Sequence, residues 1–152
     1  MAKFVYRLQN VLDLKQMLER QEKAEFALAA ARVQEENDKL SKLLVRRADY
    51  QQRLSEVVDS DTIDRKEIIF LRNADQTMKS LIRDQMFAVQ KAQAALEAER
   101  QKLNEVMKDR KTHERLKEKA FDEFRLELNA ADNKANDELT SYTYGVAKTQ
   151  EN

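Results

Sequence analysis

The sequence predicts an all-α fold, a long antiparallel two-helix coiled-coil hairpin with an overhanging C-terminal helix. Three observations indicate this fold. Apolar residues of the second half alternate spacings of three and four, which average 3.5 residues and are typical of a coiled-coil seam. The chain has no proline and a single glycine, Gly145, so no helix breaker precedes that position. The one cluster of turn-forming residues in the body of the chain lies near its middle, at 59–64.

The second helix carries the longest stretch of this seam. Its members are Ile68, Leu71, Asp75, Met78, Ile82, Gln85, Val89, Ala92, Leu96, Glu99, Leu103 and Val106. The same count continues, with polar residues in the middle, through Arg110, His113, Lys117, Ala120 and Phe124 to Ala131. Because an isolated helix cannot bury such a stripe, a partner helix has to cover it. We expect the residues before 60 to form that partner.

The first helix is predicted from about residue 3 to about residue 58. Its apolar stripe opens with Phe4, Leu8, Val11 and Leu12, and then follows Leu14, Met17, Gln21, Ala24, Leu28 and Ala31. After a wholly polar run at 34–39, the spacing resumes in a shifted phase with Leu40, Leu43, Arg47, Tyr50, Leu54 and Val57. Such a shift predicts a locally unwound supercoil and not the end of the helix.

The turn is predicted at about 59–63, followed by a second helix over about 64–142. Asp64 with Glu67 three residues later resembles a capping box with an aspartate start. Folding near residue 61 places Phe4 roughly opposite Lys117, so the second helix overhangs the first. We expect the first helix to leave an apolar set uncovered, namely Phe121, Phe124, Leu126, Leu128, Ala131, Ala135 and Leu139. Residues 1–145 are therefore expected to form a single hairpin, which Gly145 ends, with 146–152 as a frayed tail.

Composition excludes several classes of protein. The 28 basic and 28 acidic residues balance, so no net charge favours nucleic acid or an anionic membrane. The absence of cysteine excludes a disulfide framework and thiol chemistry, and is consistent with a cytoplasmic location. No apolar run approaches the roughly 20 residues that a membrane span requires, and we expect no secretory signal.

The sequence also argues against catalysis. Its one histidine, His113, occupies a seam position among basic residues and is predicted to be a polar seam residue, not a ligand or a base. A single glycine cannot build a phosphate-binding loop. We therefore expect a protein that is not an enzyme and has no cofactor and no metal.

A basic cluster lies at 108–119. It contains Lys108, Arg110, Lys111, Arg115, Lys117 and Lys119, with Asp109, Glu114 and Glu118 among them. Two interpretations stay open: a solvated helix surface with i, i+4 ion pairs, or a face that binds a partner. Nucleic acid is a weaker third, since no aromatic residue is available for stacking.

Four consecutive apolar residues, Ile68 to Leu71, follow the turn. A single partner helix cannot cover all of them, because successive residues point in different directions around a helix. Some of Ile69, Phe70, Ala74 and Leu81 should therefore lie outside the contact between the helices, as isolated exposed residues or as part of a docking patch.

The opening KFVYRLQNVLDLKQMLERQEKAEFALA resembles the start of the FliJ family of flagellar export proteins. In the second half, Glu99, Arg100 and Leu103, the stretch KTHERLKEK at 111–119, and Asp137-Glu138-Leu139 are also similar to that family. The likeness covers nearly the whole chain, including its length and its hairpin layout.

The resemblance implies an antiparallel coiled coil like the central stalk of rotary ATP synthases. It implies that the end holding both termini binds the hexameric export ATPase FliI, and that a region near the tip contacts the export gate protein FlhA. The ATPase-binding residues would be Phe4, Arg7, Leu8, Val11, Arg110, Arg115, Lys117, Phe121 and Phe124. The gate-binding residues would be Tyr50, Leu71, Ala74, Met78, Ile82 and Gln85, of which Ala74 and Gln85 depart from members with aromatic residues there.

From these observations we expect a non-enzymatic stalk of a flagellar type III export apparatus, cytoplasmic and peripheral to the inner face of the cell membrane. Three alternatives remain. An export chaperone or escort would use the same apolar surface without the ATPase. A passive structural coiled coil would form a parallel dimer. The stalk of a virulence-type secretion system would share the physical features of the flagellar one.

Overall fold

The computed structural model describes residues 2–150, which form two α-helices packed against each other as an all-α hairpin. Helix α1 spans Gln9–Asp59 and helix α2 spans Arg65–Gln150. These residues divide into two compact units. The terminal unit contains the residues up to Glu19 and those from Val106 onward, and the turn unit contains Arg20–Glu105. The single hairpin domain expected over 1–145 stays a prediction.

The turn lies where the sequence predicts it. The Asp64 carboxylate accepts hydrogen bonds from the backbone N–H groups of Lys66 and Glu67, at 3.1 and 3.3 Å, and so caps the start of α2. The Ser60 hydroxyl lies 2.8 Å from the carbonyl oxygen of Val57, at the end of α1. Both helix ends at the turn therefore have side chains that satisfy backbone groups.

The turn unit contains the apolar core. Its buried side chains are Leu71, Met78, Ile82, Val89 and Ala92, all on α2. The other predicted seam members of this unit, from Ile68 to Leu103, are all at least half-buried. The predicted seam of the second helix is therefore confirmed from Ile68 to Leu103.

The predicted register of α1 is wrong from Leu14 to Ala31, whereas Leu12, near its start, is buried as expected. Leu14, Met17, Gln21, Ala24, Leu28 and Ala31 are all exposed. In the turn unit, the residues of α1 that approach α2 at alternating spacings of four and three are Glu22, Phe26, Ala29, Val33, Glu36, Leu40, Leu43, Arg47, Tyr50, Leu54 and Val57. No phase shift separates 34–39 from 40–57, because Val33, Glu36 and Leu40 continue one pattern.

Polar partners on α2 explain this register. Arg47 on α1 contacts Asp75 on α2 at 3.0 Å, from Nε to Oδ1. The Gln85 side-chain amide donates to the carboxylate of Glu36, at 2.6 Å. The polar seam members of α2 thus face polar seam members of α1, whereas the exposed apolar stripe would have left them without partners.

Helix α1 begins at Gln9 and not near residue 3. Residues 2–8 are not α-helical, and the Gln9 N–H donates to the carbonyl oxygen of Tyr6 at 3.2 Å. Phe4, Val5 and Tyr6 are aromatic or β-branched and have low helix propensity. The contact of Phe4 with α2, described below, stabilises a non-helical backbone here.

Helix α2 does not end near residue 142. It continues through Gly145 to Gln150, and Gly145 has a negative φ like its neighbours. A glycine inside a helix costs only about 1 kcal/mol relative to alanine, which does not by itself end a long helix. Of the predicted frayed tail, residues up to Gln150 are therefore helical, and the last two lie outside the described residues.

The C-terminal part of α2 is uncovered. All residues from 129 to 150 are exposed, including Leu139 and Tyr142. Ala131, which we expected at the end of the seam, belongs to this exposed stretch, so the seam ends in the region of Phe124. Over residues 2–150, neither helix combines the length and the hydropathy that crossing a membrane would require.

Candidate functional site: the terminal face

The nine residues that the resemblance assigns to ATPase binding all belong to the terminal unit. We call them the terminal face: Phe4, Arg7, Leu8, Val11, Arg110, Arg115, Lys117, Phe121 and Phe124. The structure brings residues from the N-terminal lead, the first turn of α1 and the middle of α2 into one unit. It separates them into an aromatic cluster, a set of exposed cations and one cation that is used internally.

The aromatic cluster joins the N-terminal lead to α2. The Phe4 ring lies 5.2 Å from the ring of Phe121 in an edge-to-face arrangement, and 5.4 Å from the ring of Phe124 at 46°. Such pairs contribute about 0.5–1.5 kcal/mol beyond the burial of their area. Phe121 keeps 43% of its surface exposed, so the cluster still presents an apolar face to solvent.

Phe4 reaches further along α2 than the helical count predicts. It was expected opposite Lys117, but it contacts residues four and seven positions later. The lead is not helical, so it can rise by up to about 3.3 Å per residue instead of 1.5 Å. Part of the predicted overhang is therefore covered by the lead, and the uncovered part is the stretch after Leu128.

A groove lies between the lead and α2. The lead lines it with residues 3–8, and α2 with Ala120, Glu123, Phe124 and Glu127. The groove is open to solvent. The Tyr6 hydroxyl is buried and has no hydrogen-bond partner among the described residues. The groove therefore offers a contact surface with one buried polar group.

Arg110 is bound within the protein. Its guanidinium contacts the carboxylate of Glu19 on α1 through Nε and that of Glu114 at 2.8 Å through Nη1. Glu114, followed by Glu19, raises the pKa of Arg110, so the side chain stays charged. Because both carboxylates hold this guanidinium at the seam, its role is to join α1 to α2, and it offers a partner little free surface.

Other acids near the basic cluster are also used internally. The Lys15 ammonium on α1 lies 2.6 Å from the Asp109 carboxylate, and this contact lowers the pKa of Asp109. His113 is half-buried at the seam, with Nε2 3.7 Å from Asp109. The predicted role of His113 as a polar seam residue agrees with this position.

Most cations of the cluster remain available. Lys108, Lys111, Arg115 and Lys119 are exposed, and within the described residues none of them forms a salt bridge. The Arg110–Glu114 pair is the i, i+4 ion pair that an ordinary solvated helix would repeat along its length. Because Asp109 and Glu114 are directed to Lys15 and Arg110, Glu118 is the one exposed acid left at 108–119, and the outward surface of this segment carries a net positive charge.

The six predicted gate-binding residues all belong to the turn unit, but three of them are buried. Leu71, Met78 and Ile82 pack in the seam against α1. Gln85 is half-buried, and its amide is bonded to the side chain and carbonyl oxygen of Glu36. These residues hold the hairpin together and leave Tyr50 and Ala74 as half-buried members of the predicted set.

Apolar side chains next to this set are exposed. Ile69, Phe70 and Leu81 all lie outside the contact between the helices, as the run after the turn predicts. Phe70, Ala74 and Leu81 are spaced by four and seven residues, so they share one side of α2. We call these three residues the tip stripe. Phe70 and Leu81 are exposed and Ala74 is half-buried, and all three lie close in sequence to the predicted gate site.

Sequence reasoning missed four polar residues that decide the packing: Glu19, Glu22, Glu36 and Lys15. Each occupies a seam position of α1. Glu19, Glu22 and Glu36 face polar seam positions of α2, and Lys15 contacts Asp109, next to the seam residue Arg110. The signal was present in the sequence. Counting backward from Leu40 in steps of four and three reaches Glu36, Glu22 and Glu19 without a break.

The flagellar FliJ protein family model matches residues 4–149 of the chain. No curated protein and no solved structure gave a match. The match covers both helices, the lead from Phe4 and the exposed end of α2. With its two long helices and the predicted FliJ-like N-terminal segment, the chain thus belongs to the FliJ family and is a component of flagellar type III protein export.

Proposed function

We propose that the chain is the non-enzymatic stalk of the flagellar export apparatus, which binds the hexameric export ATPase through the terminal face and links it to the membrane export gate. The observation that carries this proposal is the terminal face itself. Exposed cations at 108–119 lie in the same unit as the partly exposed rings around Phe4. A stalk of this kind works on the cytoplasmic side, at the inner face of the cell membrane.

The terminal face suits an acidic partner surface with apolar pockets. Charge steers the encounter and sets orientation, whereas buried aromatic groups supply most of the affinity at such interfaces. Arg7 and Arg115 are exposed, and Phe121 presents part of its ring. Arg110 supports this surface from inside by fixing α2 on α1.

The gate contact that we propose uses the tip stripe together with Tyr50. Leu71, Met78 and Ile82 cannot contact a partner while they are packed against α1. Their role in this contact is indirect: by packing against α1, they keep the neighbouring side chains of Phe70 and Leu81 exposed to solvent. This refines the predicted gate site without moving it along the chain.

One experiment tests both contacts. Binding of the full chain to the cognate export ATPase and to the soluble part of the gate protein is measured for Arg115→Glu with Phe124→Ala, and for Phe70→Ala. We expect the first variant to lose at least about tenfold in ATPase affinity and to keep gate binding. We expect the second to lose gate binding and to keep the ATPase.

Arg83→Glu is the matched control, because Arg83 is an exposed α2 residue of the turn unit with no ion pair among the described residues. It reverses the same charge away from both surfaces, so both affinities should be unchanged. Equal loss of ATPase binding in Arg83→Glu and in the Arg115 variant, or no loss in either, would contradict the assignment of the terminal face.

An escort for export chaperones or clients is a second candidate, favoured by the exposed stretch of α2 after Leu128. Leu139, Tyr142 and Tyr144 are exposed there. An escort would bind clients through these residues without the ATPase. Leu139→Glu with Tyr142→Glu should then abolish client binding while ATPase binding stays unchanged, and unchanged client binding in this variant would contradict the escort.

A further inference from the structure

We call a pair of seam residues that face each other across α1 and α2 a rung. One rung of the turn unit consists of two acids. Glu22 on α1 and Glu99 on α2 are both seam residues, and both are at least half-buried. Other polar rungs of this unit join complementary groups, as Arg47 does with Asp75 and Glu36 with Gln85. The rung of Glu22 and Glu99 is the exception, because two carboxylates have only acceptors to offer each other.

The Glu22 side chain lacks a hydrogen-bond donor for one of its oxygens within residues 2–150. Its Oε1 atom is buried and has no hydrogen-bond partner among the described residues. A buried acceptor without a donor destabilises the folded state. A single proton would remove the defect, since the protonated carboxyl of one glutamate can donate to the carboxylate of the other.

Neighbouring charges do not remove the repulsion. On α2, the Lys102 ammonium lies 3.6 Å from Glu99 Oε1 and partly offsets the negative charge. On α1, Glu25 adds to it. Interaction with the Glu99 carboxyl group, followed by burial, raises the pKa of Glu22 above its ordinary value despite Lys102. The buried, unpartnered Oε1 atom and the raised pKa therefore both favour a proton on the carboxyl group of Glu22.

We propose that Glu22 and Glu99 form a proton-operated latch between α1 and α2. A shared proton closes the latch through one carboxyl to carboxylate hydrogen bond, and loss of that proton to solvent leaves two repelling carboxylates and opens the helices locally. The surrounding residues suit such an opening, because the neighbouring seam positions Ala29 and Ala92 have small side chains that make little contact across the seam. This latch is independent of the partners proposed above.

The sign of the effect follows from the direction of the pKa shift. A carboxyl whose pKa is raised on folding contributes stability that is fully present below its unfolded pKa. That contribution is lost as the pH rises through the folded pKa. The latch therefore closes on acidification and opens towards neutral and alkaline pH, which is opposite to the usual behaviour of paired carboxylates.

Glu36 provides an internal standard. It lies 14 residues after Glu22 on α1, and its partner Gln85 lies 14 residues before Glu99 on α2. The two rungs thus occupy the same heptad positions with different partners. The amide of Gln85 lowers the pKa of Glu36, whereas Glu99 raises that of Glu22. Glu99→Gln rebuilds the Gln85 arrangement at the Glu22 rung.

The first test is a carboxyl ¹³C NMR titration of the full chain. In the wild type, Glu22 should titrate above Glu36, whose pKa the Gln85 amide lowers. In Glu99→Gln, the midpoint of Glu22 should fall towards that of Glu36. The latch is wrong if Glu22 titrates together with Glu36 in the wild type, or if Glu99→Gln leaves the Glu22 midpoint unchanged.

The second test measures opening. Glu22→Gln should raise Tm by about 2–4 °C near pH 8 and leave Tm unchanged near pH 4. Hydrogen exchange of the amides around Phe26, corrected for intrinsic rates, should be faster in the wild type than in Glu22→Gln near pH 8 and equal near pH 4. Glu105→Gln, as the control at an exposed glutamate of the same unit, should change neither quantity. An effect of Glu22→Gln that does not change with pH would contradict the latch, because it would show that Glu22 contributes only through packing.

Discussion

The turn unit and the terminal unit use the same spacing of three and four but fill it differently. The turn unit buries five apolar side chains on α2, from Leu71 to Ala92. Among the described residues of the terminal unit, the buried ones are Leu12 and Glu19, and the seam positions of α2 there include Arg110, His113 and Lys117. The first unit is held by apolar burial, and the second by charge pairs and a small aromatic cluster.

This difference between the two units indicates that the turn unit provides most of the stability, whereas the terminal unit is suited to binding a partner. Apolar burial does not depend on charge screening. Charge pairs at a half-exposed seam are weakened by screening in salt, and each charged group can pair with another protein instead. A unit held by exchangeable contacts is suited to binding another protein, because the partner can replace what the free chain supplies. Three changes test this contrast.

The largest effect is expected in the turn unit. Leu71 is fully buried, so Leu71→Ala should reduce the free energy of unfolding by about 2–5 kcal/mol through lost burial and a cavity. The measurement is urea unfolding followed by circular dichroism. Phe70→Ala, one residue earlier on the exposed side, should cost about 0.5 kcal/mol or less. Equal losses would mean that the seam of α2 is not where the structure has it.

A smaller effect is expected from the terminal unit. Arg110→Met removes the cation that two carboxylates share and leaves Glu19 and Glu114 facing each other's charge. Tm should fall, but by less than for Leu71→Ala. Glu19→Met combined with Arg110→Met should restore most of the loss, because an apolar pair can replace a buried ion pair. A double variant less stable than Arg110→Met alone would show that the pair does more than neutralise charge.

The smallest effect depends on pH. The pKa of Glu36 is lowered, mainly by the Gln85 amide, so its stabilising contribution is present above the ordinary carboxyl pKa and is lost as the pH falls through the lowered pKa. The Tm difference between wild type and Glu36→Gln should therefore be positive near pH 7 and vanish once the pH falls below the lowered pKa of Glu36. A difference that grows on acidification would contradict the Glu36–Gln85 contact.

Much of the fold can be predicted from the sequence where local and long-range signals agree. The seam from Ile68 to Leu103 and the Asp64 cap both follow from short-range patterns that tertiary packing then reinforces. The register of α1 could not be found in the same way. Leu14, Met17 and Leu28 form a regular stripe, yet the polar seam of α2 requires polar partners and turns that stripe outward.

The residues of the terminal face are those that the resemblance to the FliJ family implies, and the overhang of the second helix beside them could be predicted from the sequence. The contact of Phe4 with Phe121 could not, since it depends on a non-helical lead that reaches further than a helix would. The internal use of Arg110 also depends on Glu19, whose seam position follows only from the correct register.

The polar rungs of the turn unit bear on how this protein can transmit force. A slip of α1 along α2 by one heptad would set Arg47 against Ile68 or Ile82, and Glu36 against Met78 or Ala92. Each misaligned rung would strand a charge on an apolar side chain, which is strongly unfavourable. In the turn unit, α1 and α2 therefore cannot slide along each other. A force or torque applied to this unit moves both helices together.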